Sequence, residues 1–193
     1  AWENIWGIWN QFTDRDGETL RRIARIYRQF PQLVVAMDWA PYQVCLQGGI
    51  FASVFPVQGL ALRTFINRFE YEVCGEQIAI DHVEGTRYYD VWNGRELSPA
   101  IRDGKAVLSF DMEARGFGAV LSVAAGTVVD GLDDFIALTA TANAKPLSAY
   151  SGAWKALPQQ IVDIAPTAPA ASAPDGMVSI PGGEFVFAVG GVE

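Results

Sequence analysis

One histidine, two cysteines and three methionines are all that 193 residues contain of those types. A zinc site of the usual Cys/His kind is therefore out of reach. No Cys-x-x-Cys occurs, which argues against dithiol redox work. Basic residues are scarce beside acidic ones: 14 Lys+Arg against 22 Asp+Glu, a net charge of −8. The surplus of acid argues against a nucleic-acid partner, because phosphate binding needs clustered cations. No apolar run approaches the ~18 residues that would span a bilayer, so no membrane partner is expected. Gly48-Gly49 and Gly116-Phe117-Gly118 lack the spacing of a phosphate-binding loop. Asn-x-Ser/Thr acceptors and repeats of 20–50 residues are also missing. No cofactor is implied.

What is present is globular material, half apolar and 19% charged. The chain begins at Ala1 inside a Trp-rich segment, without a basic stretch, apolar core and cleavage site, so no signal peptide is visible. Residues 178–189 read as new strands, and the chain stops at Glu193 before they could pair with much. Together these ends suggest an internal fragment of a longer, multidomain protein, and location within the cell is left open.

Thr13, Asp14 and Asp16 are candidate N-caps, since their side-chain oxygens accept amide hydrogens of a first helical turn. Leu20, Ile23, Ala24, Tyr27 and Phe30 follow at helical spacing, predicting a helix over 18–30. Arg21, Arg22, Arg25 and Arg28 occupy the remaining positions and read as a solvated face. Pro31 ends the helix. From residue 33 the texture becomes β-rich, with strands expected over 43–55, 60–71, 77–81, 87–92, 105–112 and 118–124. Pro56 and Gly59, Cys74-Gly75-Glu76, Asn93-Gly94 and Asp103-Gly104 supply turn signals. Asn-Gly and Asp-Gly mark hairpins because both residues tolerate positive φ. Strands at this spacing predict an antiparallel β-sandwich. Residues 132–141 read as a short helix, and 165–175, rich in Pro and Ala, as an extended linker.

The expected organisation is 1–32, the end of an upstream barrel-like domain; 33–126, the β-sandwich; 127–176, a weakly structured segment and linker; and 177–193, the start of another module. The fold class is mainly β, with an amphipathic helix preceding the sandwich.

No catalytic residue and no metal ligand is assigned. His82 lies at a strand end without a second histidine, and reads as a turn residue. Cys45 and Cys74 could approach one another across a sheet, but the favoured reading is that both are free, buried small hydrophobes. Carbohydrate is the candidate ligand, because Trp and Tyr rings stack on sugar faces while Glu and Asn bind hydroxyls. Glu3, Asn4, Trp6 and Trp9 form one such set. A glycosidase needs two carboxylates about one bond, so a partner for Glu3 would lie upstream; core packing is the alternative role for these rings. Tyr88, Tyr89 and Trp92 form a second set around the Asn93-Gly94 turn, either a sugar platform or ordinary cross-strand aromatic pairing.

Two stretches resemble known families. The block from Ala61-Leu-Arg-Thr-Phe-Ile-Asn-Arg68, through Tyr88-Tyr-Asp-Val-Trp-Asn-Gly-Arg-Glu-Leu97, to Asp103–Leu121 resembles the C-terminal β-sandwich that follows the TIM barrel in many retaining glycoside hydrolases. The resemblance spans roughly residues 40–125. It implies a non-catalytic accessory domain buttressing a barrel in cis, with helix 17–30 as the barrel's last helix and Trp2–Asn10 near its active face. A carbohydrate-binding module is the alternative. Pro174-Asp-Gly-Met-Val-Ser-Ile-Pro-Gly-Gly-Glu-Phe-Val-Phe187 resembles the opening of a formylglycine-generating-enzyme (sulfatase-modifying factor) domain. It departs from that pattern at Ala188-Val189-Gly190, where Met-Gly is usual. That family's oxidase chemistry would belong to residues beyond this chain.

Overall fold

The computed structural model describes residues 13–154 and 161–184, with 186, 188 and 190. These fall into two units divided between Leu157 and Pro158.

The first unit is mainly β and opens with a helix, α1 (Asp14–Gln29). Of the three candidate caps, Thr13 takes the role. Its hydroxyl accepts from Asp16 N at 3.0 Å, and its own amide donates to the Asp16 carboxylate at 3.3 Å. This reciprocal pair satisfies free donors at the helix start. Pro31 does follow the helix, but it also begins a second, α2 (Pro31–Val34), where a proline without an amide hydrogen is tolerated.

Nine strands follow: β1 (Ala40–Gln43), β2 (Ile50–Val57), β3 (Leu60–Asn67), β4 (Glu76–Asp81), β5 (Arg87–Asp90), β6 (Arg95–Leu97), β7 (Ala100–Arg102), β8 (Lys105–Ser109) and β9 (Phe117–Val123). They form two antiparallel sheets, ordered β1-β2-β3-β9-β5-β6 and β4-β8-β7. A third helix, α3 (Leu132–Ala142), and a 3-10 turn (Leu147–Ala149) complete the unit.

The six-stranded sheet is the middle layer, covered on one face by helices and on the other by the three-stranded sheet. Between the sheets lie Ile50, Ala52, Phe65, Ile78, Tyr88, Leu108, Phe110, Met112 and Val120. Between the sheet and the helices lie Ile26, Phe30, Leu33, Leu62, Tyr89, Val91, Trp92, Leu121, Leu132 and Phe135. Alternation along each strand sends neighbours to opposite cores, as the pleat requires. Helix 14–29 thus shares a core with the sandwich.

Turn chemistry follows the dipeptides in part. Asp103-Gly104 makes a two-residue β7–β8 hairpin, with Arg102 opposite Lys105 and φ of 50° and 73°. Asn93-Gly94 instead closes a four-residue loop, with Asp90 opposite Arg95. Asp90 reshapes it: its carboxylate accepts from Asn93 N and Nδ2, and its carbonyl accepts from Gly94 N at 2.8 Å. Pro56, expected at a turn, lies within β2 opposite Ala61. β1 pairs β2 only at Ala52 and Val54, so Pro56 is on an edge, where a missing donor costs nothing.

The arginine-bearing face of α1 departs from expectation at one position. Arg22 is 2% exposed. Its Nε donates to Glu18 at 3.0 Å and its Nη2 to the Lys145 carbonyl at 2.6 Å, with the guanidinium 6.0 Å from the Trp92 ring centre. Arg21 pairs with the same carboxylate, and Arg25 donates to Asn143. Asn143 donates in turn to the Trp92 carbonyl at 2.6 Å. These bonds fasten α1 to the chain after α3. Glu113 adds to the fastening by accepting from the amides of Leu147 and Ser148.

In the second unit, described residues 161–184 have neither helix nor strand and are exposed throughout.

Candidate functional site

Alternation along β2 and β3 leaves one part of the middle sheet open. Phe51 and Ser53 on β2 project to the helix side, opposite Ile66 and Thr64 on β3. Arg68 follows Ile66 by two residues and so falls on the same face. The helix-side core takes in β9, β5, the first half of β3 and the second half of β2, and Phe51 and Ile66 lie outside it, half-exposed. Beside it, the segment from α2 into β1 contributes Trp39, Pro41 and Tyr42. The result is an open groove of about 480 Å³ lined by Trp39, Tyr42, Phe51, Ser53, Thr64, Ile66 and Arg68, with Pro41 and Ala52.

The groove is ring-rich and wet. Trp39 is 50% exposed and Tyr42 80%; Phe51 and Ile66 are about half-exposed. The Trp39 ring lies parallel to that of Phe55, 16° between planes and 6.0 Å between centres. Tyr42 has φ of 55°, in the left-handed region that non-glycine residues seldom adopt. Outliers of that kind cluster at ligand-contacting positions. Ser53 and Thr64 add hydroxyls. Arg68 has no side-chain hydrogen bond or ion pair among the described residues, a property shared only with Arg28 among the described arginines. Rings with hydroxyls and a guanidinium suit a saccharide: C–H faces stack, hydroxyl edges bond. No carboxylate lines the groove.

The residues expected to bind sugar are elsewhere. Tyr88, Tyr89 and Trp92 do not form an exposed platform; they are 1%, 3% and 4% exposed. β5 is an inner strand of a sheet covered on both faces, so Tyr88 enters one core and Tyr89 the other. Trp92 stacks obliquely on Phe117 beneath α1. Glu3, Asn4, Trp6 and Trp9 lie outside the described residues. Trp39, Tyr42, Phe51 and Arg68 were not singled out in the sequence; their one signal is the pair of rings flanking a proline in Trp39-Ala40-Pro41-Tyr42.

Other polar groups serve the fold. His82 Nδ1 and the Tyr88 hydroxyl lie 3.0 Å apart. Burial pushes the Tyr88 phenol up, opposed by the nearby Arg63 guanidinium. Arg63 donates to Ser122 at 3.0 Å, and its own burial lowers its pKa. Asp90 is fully buried, and burial raises its carboxyl against the pull of Asn93 and Arg95. Cys45 and Cys74 are both free, but neither is a core residue: Cys45 is half-buried and Cys74 exposed on the loop before β4. Burial raises the Cys45 thiol. Among the described residues, no group of three or more His, Cys, Asp or Glu side chains is placed to hold a metal, and no helix is long and apolar enough to cross a membrane.

Three of the solved structures to which the chain is similar are glycoside hydrolases. An Anoxybacillus α-amylase matches at 10% identity and a TM-score of 0.38, over 56% of this chain and 23% of that one. A glycoside hydrolase family 30 subfamily 8 xylanase from Clostridium acetobutylicum matches at 12% and 0.34, over 53% and 28%. A family 30 endoxylanase from Clostridium papyrosolvens C71 matches at 13% and 0.33, over the same shares. The chain spans about a quarter of the length of these proteins, and a likeness of this order defines no activity. No protein-family model and no curated protein matches the sequence.

Proposed function

We propose that the chain carries a non-catalytic accessory β-sandwich of a glycoside-hydrolase-like multidomain protein, and that this sandwich holds carbohydrate in the groove of Trp39, Tyr42 and Phe51. The observation that carries the reading is a half-exposed tryptophan, stacked on Phe55, in an open cleft without a carboxylate. Glycoside cleavage needs two carboxyl groups about the bond; this cleft offers stacking faces and hydroxyls, so it grips without cutting. The resemblance of Ala61–Leu121 to the sandwich of retaining glycoside hydrolases supports the same assignment. The resemblance of residues 174–187 to a formylglycine-generating-enzyme opening adds a following module of that kind, whose chemistry lies beyond this chain.

Affinity electrophoresis of the whole chain against soluble neutral and acidic polysaccharides tests this. Retardation by at least one polymer, lost in Trp39→Ala while the circular dichroism spectrum is unchanged, is the expected result. A folded chain that no polysaccharide retards refutes it. A second reading is favoured by Phe51 and Ile66, whose apolar side chains floor the cleft: the cleft docks a barrel in cis. In that case Phe51→Ser weakens co-purification with a separately expressed upstream region and leaves polysaccharide mobility untouched.

A further inference from the structure

We propose that the saccharide held in this groove is acidic, and that Arg68 is its carboxylate anchor. The inference rests on the carbohydrate reading above and names the class of sugar. Most described arginines are engaged: Arg87 with Glu96, Arg95 with Asp90, Arg102 with Glu76, Arg115 with Glu70, and Arg22 with Glu18. Arg68 is exposed and its guanidinium is unengaged, yet its backbone is fixed, its amide donating to the Gly49 carbonyl at 3.0 Å. The Phe69 ring occupies the space a side chain at Gly49 would need. A cation with a firm base and an idle fork of donors is matched to a planar carboxylate, which it meets through two parallel hydrogen bonds.

The surroundings point the same way. The chain is acidic, at −8, but the groove lining contains an arginine and no acid. Within that lining a bound carboxylate meets one cation and no like charge. Phe51, Ile66 and Arg68 share one sheet face, which places the guanidinium at the end of a row of stacking groups. A hexuronate with one pyranose face on the rings directs its carboxylate toward that end.

The test uses the full chain and two forms of one polymer, polygalacturonate and its highly methyl-esterified counterpart, which differ in charge but not in backbone. The expected result is tighter binding of the acid form, weakened by salt, with Arg68→Gln reducing that affinity about tenfold, as loss of a charge-assisted hydrogen bond does. Arg68→Lys recovers part of it. Trp39→Ala abolishes binding of both forms. Because the Arg68 side chain has no partner among the described residues, its replacement leaves thermal stability unchanged, which excludes misfolding as the cause. Equal binding of the two forms, or an Arg68→Gln chain that binds the acid form undiminished, overturns the inference and leaves the carbohydrate reading standing. Dextran sulfate bound as tightly as polygalacturonate also overturns it, by showing attraction to any polyanion. Binding of neither form nor of any neutral polysaccharide overturns both.

Discussion

Replacing Arg22 by alanine tests how the helical layer is attached. In the native chain its guanidinium is buried, donates to Glu18 and to the Lys145 carbonyl, and lies against Trp92. Its removal leaves the Glu18 carboxylate, also 2% exposed, facing only the mostly solvent-exposed Arg21, and leaves a carbonyl without its donor. Breaking a buried pair from one side costs about 3–5 kcal/mol, because a buried charge is left uncompensated. That is a large part of the ~5–15 kcal/mol that holds a domain together. At roughly 2–4 °C per kcal/mol for a domain of this size, the midpoint of thermal unfolding falls by about 10 °C. Urea unfolding followed by tryptophan fluorescence gives the free energy directly. The companion variant Glu18→Leu/Arg22→Met restores most of the loss, since an apolar pair of similar volume needs no desolvation. A loss below about 1 kcal/mol in Arg22→Ala is what an exposed pair gives, and it refutes the claim that this contact fastens α1 to the sheet. A double variant no better than the single one refutes the assignment of the cost to the stranded carboxylate.

Three further substitutions probe the turns and the surface charge. In Gly94→Ala the new methyl group lies 2.2 Å from Ala140 N on α3 and sits at φ of 74°, so left-handed strain and overpacking together cost about 2–5 kcal/mol. Gly104→Ala, at φ of 73° with open space around it, bears only the strain, about 1–2 kcal/mol; equal losses in urea unfolding refute the packing argument. Arg87 holds the Glu96 carboxyl below its ordinary 4.5, through two hydrogen bonds of 2.9 Å. A depressed folded pKa gives stability that is present above 4.5 and lost as pH falls through the lower value. Glu96→Gln is therefore slightly less stable than the native chain at pH 7 and loses less on acidification; a difference that is the same at pH 3 and pH 7 contradicts this.

Much of the architecture is written locally. The apolar stripe and the Thr13 cap define α1 from the sequence, and Asp103-Gly104 defines its hairpin, because each rests on neighbours in the chain. Strands of three residues, β6 and β7, leave too short a pattern to read. Burial is a property of layers, and there the sequence misleads. Tyr88 and Tyr89 look like a surface pair because they flank a turn, but β5 is covered on both sides. Arg22 looks solvated because its neighbours on α1 are, and only the return of the chain at Lys145 encloses it. The groove was hidden for the converse reason. Trp39 and Phe51 have the composition of a core, and what leaves them half-open is the place where the helices stop.

The irregular first strand has a bearing on how this acidic chain behaves at high concentration. β1 is the outer rail of a six-stranded sheet, and a straight outer rail invites another chain to add itself. Pro41 offers no hydrogen to such a newcomer, Tyr42 turns the backbone out of the extended line, and the register between Ala40 and Gln43 is broken. The opposite margin, β6, is three residues long. Both margins are thus poor templates, so the open aromatic cleft is kept beside a sheet that resists growing into a fibre.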